Sequence, residues 1–395
     1  MDTAVEQGSG ETVVTATPAV GSSLVVCSLE SWGAVRRRVR ILVDELVERD
    51  PSLRVLYVDP AVDIPFELRH GRRSALGSPR LERVHPRIDV LRPHKWIPRA
   101  AGPFADRSLG RQVSRAAARL GLHDPLIWVN DASYARFALS TGWPTLYDVT
   151  DDGLLAPQPG RRRARLRADD ELLVDHSGAV VVCSPDLART RGTRREVDLI
   201  PNGVDVDLFR APQDRPSGLP PSPVAVYVGT LHEERVDVPL LLALASARPD
   251  VSIALVGPDS LGPAAHEALA AVPSIHLLGP VPYERVPAFL QHADVVIVPH
   301  LVNPFTESLD PIKAYECLAA GRPTVSTPVA GFRDLGAPVV VRTPAAFVAA
   351  VGEALDAAPA PGSPSDPPDV PTWGQRAGAM AAVMERVRAA TGARS

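Results

Sequence analysis

A lysine and a glutamate three residues apart carry the chemistry most readily read in this chain. The stretch Asn303-Pro-Phe-Thr-Glu-Ser-Leu-Asp-Pro-Ile-Lys-Ala-Tyr-Glu-Cys-Leu-Ala-Ala-Gly-Arg-Pro-Thr-Val-Ser-Thr327 reads as an acidic, Pro-punctuated loop. A helix begins near Pro311 and stops at Gly321, and a β-rich segment follows. Of 42 basic residues only Lys95 and Lys313 are lysines. A chain so biased toward arginine that still places lysine in the first turn of a helix points to a site that takes a slender ammonium and not a planar fork. The free N–H groups and positive dipole of a helix N-terminus, together with Lys313, suit a phosphate. Glu316, one turn further along the same face, suits a vicinal diol such as ribose. A capped helix with a solvated Lys–Glu pair is the alternative.

Two other clusters have the residue types for a ligand site. Leu29-Glu-Ser-Trp-Gly33 forms the loop after the first strand. There Gly33, beside Trp32, would let backbone approach reacting groups, and Arg36 and Arg38 follow at a helix start, either on an anion or as a solvated helix face. Asp148-Val-Thr-Asp-Asp152 directly follows a strand, so Asp148, Asp151 and Asp152 project toward the strand end, facing a ligand or capping the next turn. Asp205-Val-Asp207 has the spacing of a metal-binding pair, but an Asx-type turn explains it, and the ten histidines show no metal-ligand spacing. No metal site is expected. His232 and His300, each just past a strand end, are the two histidines placed to line a cleft. Arg161, Arg162, Arg163, Arg165 and Arg167 form a basic cluster, a solvated face or a seat for an anionic lipid or phosphate-bearing molecule.

The elements that would position these residues follow from hydrophobic rhythm. Short apolar runs at 24–27, 55–58, 88–91, 127–129, 145–147, 180–183 and 197–200 alternate with helical stretches, the pattern of a parallel sheet covered on both faces. The rhythm restarts at 224–228, 252–256, 275–278, 295–298, 324–326 and 339–341, with helices near 237–247, 263–271, 284–292 and 311–320 between them. The expected fold is α/β: two Rossmann-like doubly wound domains facing a cleft, plus a C-terminal helix. The expected boundaries are a disordered 1–20, a first domain at 21–205, a Pro-rich linker at 206–223, a second domain at 224–357, a second Pro-rich linker at 358–371 and the helix at 372–395.

Composition narrows the class of function. The 395 residues are 45% hydrophobic and 22% charged with a net charge of −4, enough for two cores and without the global basic field that recruits nucleic acid. Cys27, Cys183 and Cys317 are few, odd in number and far apart, which fits neither a disulfide framework nor a thiolate metal site. No signal-peptide pattern opens the sequence and no apolar run approaches membrane-spanning length. A cytoplasmic protein is expected, with peripheral contact at the inner face of a membrane left open.

Four blocks in order resemble the family 4 retaining glycosyltransferases of GT-B fold, over nearly the whole chain. Ile200-Pro-Asn-Gly-Val-Asp-Val-Asp-Leu-Phe209 is similar to the family's interdomain segment, and Val226-Tyr-Val-Gly-Thr-Leu-His-Glu-Glu-Arg235 to its first C-domain strand and donor loop. Leu278-Gly-Pro-Val-Pro-Tyr-Glu-Arg-Val286 resembles the base-recognition loop, and Pro311 to Pro323 closes the set. The resemblance implies catalytic roles for Arg235 and Lys313 on the departing diphosphate, and places Asp151 where family members carry a polar residue touching the transferred sugar or acceptor hydroxyl. It implies donor contacts from Gly229, Thr230, Val281, Ser308, Leu309, Asp310, Pro311, Ile312 and Glu316, and an acceptor side comprising Trp32, Gly33, Arg36, Asp148 and Asp152. The family's usual arginine after the glycine is Thr230 here, and its first glutamate falls on Ser308, with Glu307 one position early.

The implied activity is transfer of a sugar from a nucleoside-diphosphate sugar, as co-substrate and with no further cofactor, to a carbohydrate, lipid-linked or small-molecule acceptor. Retention and metal independence are implied with it. A nucleotide-sugar epimerase of similar architecture and a catalytically silent nucleotide-sugar-binding homologue are the rival functions.

Overall fold

The computed structural model describes residues 22–33, 36–76, 80–97, 103–155, 159–333, 335–336, 338–357 and 369–392. The expected disordered start and most of the 358–371 linker lie outside these residues.

The first sheet has eight strands in the order Asp198–Leu199, Ala179–Val182, Thr145–Val149, Leu126–Val129, Ser23–Cys27, Arg54–Val58, Ile88–Leu91, Leu81–His85. All pairs are parallel except the last. The antiparallel edge strand Leu81–His85 is absent from the sequence expectation. Its Leu-Glu-Arg-Val-His run is polar because it closes a sheet edge and lies outside the core, the usual way an edge is protected. The second sheet is wholly parallel, in the order Ile275–Gly279, Ser252–Val256, Val224–Val228, Val295–Val298, Thr324–Ser326, Val339–Val340. Central strands in both sheets are predominantly apolar and buried because each face meets a helical layer.

Two segments join the domains in ways their local pattern does not announce. The helix Trp373–Gly392 returns to the first domain, burying Trp373, Ala377, Met380, Val383, Met384 and Val387 against the core that carries helix Arg38–Arg49. A lone bridge from Val204 to Thr372 marks where it crosses back. The 206–223 segment, expected as a linker, packs onto the second domain. Asp205 caps the short helix Val206–Arg210 by accepting from Leu208 N–H at 3.0 Å, which is the Asx-type explanation of the Asp-x-Asp spacing. Phe209 is fully buried in the second core. Gln291 accepts from the Gln213 N–H at 3.0 Å and donates to the carbonyls of Phe209 and Ala211 at 2.9 and 2.8 Å. The proline-rich stretch is thus tied down by one buried amide, whose loss would leave three backbone groups unpaired.

Candidate functional site

Lys313 sits in the first turn of helix Ile312–Ala320, as the sequence pattern predicts, and Gly321 ends that helix in the left-handed conformation with φ 64°. Its ammonium lies 3.9 Å from the centroid of the Tyr227 ring and makes no ion pair among the described residues. Gly229, two residues beyond Tyr227, leaves the strand with φ 144°, and a Cβ there would stand 2.4 Å from Lys313 Nζ. Gly257 on the neighbouring strand is equally obligate, because its Cβ would fall 2.2 Å from the Gly229 carbonyl oxygen. The missing side chain at Gly229 is therefore what leaves room for the Lys313 ammonium. Resting on an aromatic face contributes about 1–2 kcal/mol to such a cation at a desolvated site.

The turn after Gly229 brings the second cation in. The Leu301 N–H donates to the Arg235 carbonyl at 2.7 Å, and Val236 bridges to His300. The Arg235 guanidinium lies 5.4 Å from the Phe305 ring centroid. His300 Nε2 is 3.1 Å from the Tyr227 hydroxyl, which also donates to the Thr230 carbonyl at 3.3 Å. Burial drives the His300 pKa well below its usual value, with Lys313 and Arg235 pushing the same way, so the imidazole is neutral and the two cations hold the positive charge. Across from them Asp151 has its pKa raised by burial and by Asp152, with Arg235 opposing.

Glu316, one turn along from Lys313, is 9% exposed. Burial pushes its carboxyl up to about 7, against the Lys313 charge and the Tyr283 hydroxyl, which faces it without completing a hydrogen bond. Tyr283 in turn borders a cavity of about 380 Å³ between the domains, lined also by Arg36, Glu45, Asp205 and Trp373. Arg36, paired to Asp44 at 3.0 Å, is the acceptor-side residue that reaches this shared space. Val281, at the start of the same loop, packs partly against the second core.

Several predicted site residues are engaged in joining the domains. Both oxygens of the Asp310 carboxylate are taken, one by the Asn202 N–H and the other by the Tyr315 hydroxyl at 2.8 Å. Ser308 is fully buried. Its hydroxyl donates to the Phe305 carbonyl at 2.8 Å, and its own carbonyl accepts from Ser184 of the first domain at 2.8 Å. Ile312 packs on the core of the first domain, as Trp32 does. Leu309 and Pro311 lie between these anchors, half-buried, with their side chains in no polar contact. Glu307 does not take over from Ser308 at a ligand, because it holds Arg333 at 2.6 Å and accepts from the Ala330 N–H at 3.2 Å.

On the first domain, Asp148 does not project to the cleft. It is fully buried and pairs at 3.4 Å with Arg38, itself 3% exposed, which also donates to the Asn202 side chain at 3.1 Å. Arg38 is thus neither a solvated helix residue nor a free anion ligand. Asp152 is likewise enclosed, since Arg191 reaches it at 3.1 Å and Asp170 at 3.3 Å, and Tyr147 donates to Asp170 at 2.6 Å. Gly33 has ordinary backbone and open room for a Cβ, so nothing in the protein requires glycine there. Trp32 packs edge-on against Tyr57 with ring centroids 5.0 Å apart. Glu30, within the quoted loop but not singled out, is the missed residue on this side. Burial pushes its carboxyl to about 7, and one of its oxygens has no hydrogen-bond partner. Tyr227 was equally missed, though its place two residues before a glycine that ends a central strand is a legible signal.

Two Rossmann-like sheets that meet over such a site have the GT-B architecture, and solved structures of that fold superpose on nearly the whole chain. Trehalose 6-phosphate synthase from Burkholderia multivorans aligns with TM-score 0.62 at 14% identity, covering 95% of this chain and 100% of that one. Anabaena HepE, solved in complex with UDP and glucose, aligns with TM-score 0.59 at 16% identity, covering 94% and 98%. The family model described as Glycosyl transferases group 1 matches residues 222–357. A Bacillus subtilis protein provisionally named as the teichuronic acid biosynthesis glycosyltransferase TuaH is 24% identical over 334 residues, covering 77% of this chain and 80% of its own length. The second domain is thus similar to the group 1 glycosyltransferases, and the chain is a glycosyltransferase of GT-B fold.

Proposed function

We infer that the chain moves a glycosyl unit from a nucleoside-diphosphate sugar to an acceptor hydroxyl, with retention of anomeric configuration and with no resident metal. The observation that carries this reading is the Lys313 ammonium, held over Tyr227 against Gly229 with no ion pair among the described residues, one turn from the buried Glu316 carboxylate and facing the same imidazole, His300, as Arg235. Such a pair of cations, one of them in the first turn of a helix, fits a diphosphate, and Glu316 fits the ribose hydroxyls. The sugar–phosphate bond breaks as the acceptor oxygen bonds to the same carbon from the same face, and the acceptor proton passes to the departing phosphate oxygen. No side chain then has to act as base, and the protein contributes positioning and charge. HepE's complex with UDP supports uridine diphosphate sugars as the first donors to test, and the name of TuaH supports a glycan or lipid-linked glycan acceptor.

The reading is tested by incubating the chain with nucleotide sugars, with and without glycan acceptors, and following nucleoside diphosphate release and the anomer of the product by NMR. Acceptor-dependent release with a retained anomer is the expected result. Inversion contradicts the proposed stereochemistry, and an epimerised donor formed without acceptor identifies the epimerase instead. Turnover is expected to persist in EDTA, since this reading assigns neutralisation of the diphosphate to Lys313 and Arg235. Loss of activity restored by Mg²⁺ or Mn²⁺ contradicts that assignment.

Glu316 makes a pH-dependent prediction with a definite sign. A carboxyl raised to about 7 in the folded chain keeps its proton where the unfolded chain loses it, from 4.5 upward, so its contribution to stability is lost as pH rises through that window. The ribose needs the deprotonated form. Nucleoside diphosphate affinity, measured by calorimetry, is therefore expected to rise from about pH 6 to about pH 8 in the parent, with that component absent in Glu316→Gln. The variant should bind more weakly by about 1.5–3 kcal/mol at the upper end, the scale of a charge-assisted hydrogen bond, yet melt higher than the parent there when empty. Equal affinity and an equal melting point would place Glu316 outside the nucleotide site.

A further inference from the structure

The exposed large apolar side chains of the first domain are concentrated in one region. Phe66, Leu68, Leu76, Trp96, Ile97 and Phe104 are each between 39% and 67% exposed. Short strands Val62–Asp63 and His94–Lys95 pair in parallel, with Asp63 opposite Lys95, so the chain leaves both on the same side toward Phe66 and Trp96. Gln112 of helix Pro103–Arg119 accepts from the His94 N–H and donates to its carbonyl, each at 3.0 Å, which brings the helix that starts beside Phe104 to the same corner. Basic residues crowd this corner. The described residues of 62–111 hold ten Lys and Arg against five Asp and Glu, a local net charge of +5 in a chain of net charge −4. Arg69, Arg73, Arg107 and Arg111 are exposed and make no ion pair among the described residues. The neighbouring basic helix Gly160–His176 is fastened to the same corner through the Arg165–Asp106 ion pair, leaving Arg161, Arg162 and Arg163 exposed beside it.

We propose that this corner is a docking surface for an anionic lipid bilayer, with Trp96 and Phe104 entering the interface and the arginines meeting lipid phosphates. Aromatic and aliphatic side chains rimmed by arginine are the composition that lies in a headgroup layer. Leu68, Leu76 and Ile97 gain nothing from nucleic-acid bases, whereas a bilayer takes aliphatic and aromatic groups alike. A cavity of about 520 Å³, lined by Arg107, Arg111, Arg136, Asp106 and Phe137, opens beside these arginines. The surface also continues to the acceptor loop, because Arg92, beside the corner, pairs with Asp59 at 3.5 Å, and Asp59 accepts from the Trp32 N–H at 2.8 Å. Docking there would present an acceptor held in the membrane to the first domain. The docking itself does not depend on the glycosyl-transfer reading, since it is measured without turnover.

The test is co-sedimentation of the full chain with phosphatidylglycerol–phosphatidylcholine vesicles, against phosphatidylcholine alone, at low and high salt. Salt-sensitive binding to the anionic vesicles is expected, weakened about tenfold or more in W96S/F104S and again in a variant with Arg69, Arg73, Arg107 and Arg111 replaced by glutamate. Because these substitutions could disturb folding, Trp96→Phe supplies a second measurement. It should bind like the parent yet lose the vesicle-induced blue shift of tryptophan fluorescence. Failure to bind anionic vesicles overturns the proposal, as does a W96S/F104S protein that binds undiminished or a blue shift unchanged in Trp96→Phe. Displacement of the chain from vesicles by a single-stranded oligonucleotide, with tighter binding to it, would assign the corner to nucleic acid and overturn the bilayer.

Discussion

Replacing Lys313 by alanine is expected to lower turnover by about a hundredfold to a thousandfold, the range for removing one preorganised charge or donor from a developing anion. Nucleoside diphosphate affinity should fall much less, because the charge on the departing oxygen grows as the bond to sugar breaks, and only the excess stabilisation of that state appears in turnover. Lys313→Arg should not rescue. The ammonium occupies the place where a Cβ on Gly229 would come to 2.4 Å, and a planar guanidinium in that slot meets the Gly229 backbone and the Tyr227 ring. Gly229→Ala should imitate the lysine variants from the other side by expelling the ammonium, with additional strain from φ 144°. The variants are compared by single-turnover rates at saturating donor, with circular dichroism to confirm folding. Parental rates in both lysine variants would move the diphosphate elsewhere in the molecule.

The features legible in the sequence are those decided within a few residues. Gly321 ending a helix, Lys313 and Glu316 one turn apart on one face, and Val-rich runs forming buried parallel strands all follow from local geometry and period. What escapes is decided by partners 39 to 124 positions away. Asp152 follows a strand as predicted, whereas the strand runs on through Asp148 to Val149, and whether either carboxylate meets a ligand or an arginine depends on Arg38 and on the folding of Arg191 toward it. Asp310 and Ser308 lie in the most informative stretch of the chain, yet their contacts with Asn202 and Ser184 are made by the closing of one domain on the other. The C-terminal helix shows its amphipathic face without naming the domain that covers it, and the Pro-rich 206–223 stretch reads as a tether because one glutamine, Gln291, provides the hydrogen bonds that fix it. Polar residues near a site are thus the least decipherable class, since a ligand and a distant side chain satisfy them equally well.

Arg38→Ala is expected to be the most destabilising single change near the site. It strips the partner from Asp148, which is fully buried, and removes a donor to Asn202, whose N–H holds Asp310 of the second domain. An uncompensated buried charge of this kind costs about 3–5 kcal/mol. For a domain of this size that corresponds to a fall of about 6–20 °C in melting temperature. The loss should depend on pH in one direction. Burial already raises the Asp148 pKa against the pull of Arg38, so without the arginine the folded-state pKa climbs further above its unfolded value. Stability is then retained while the carboxyl is protonated and lost as pH rises, making the variant nearer to the parent at about pH 5 than at about pH 8. Adding Asp148→Asn removes the charge that was left behind, so the double variant should recover much of the stability and lose the added pH dependence, a coupling that a double-mutant cycle in urea measures directly. An Arg38→Ala protein as stable as the parent at about pH 8 would mean that the pair is not buried in solution and that the junction it braces is open.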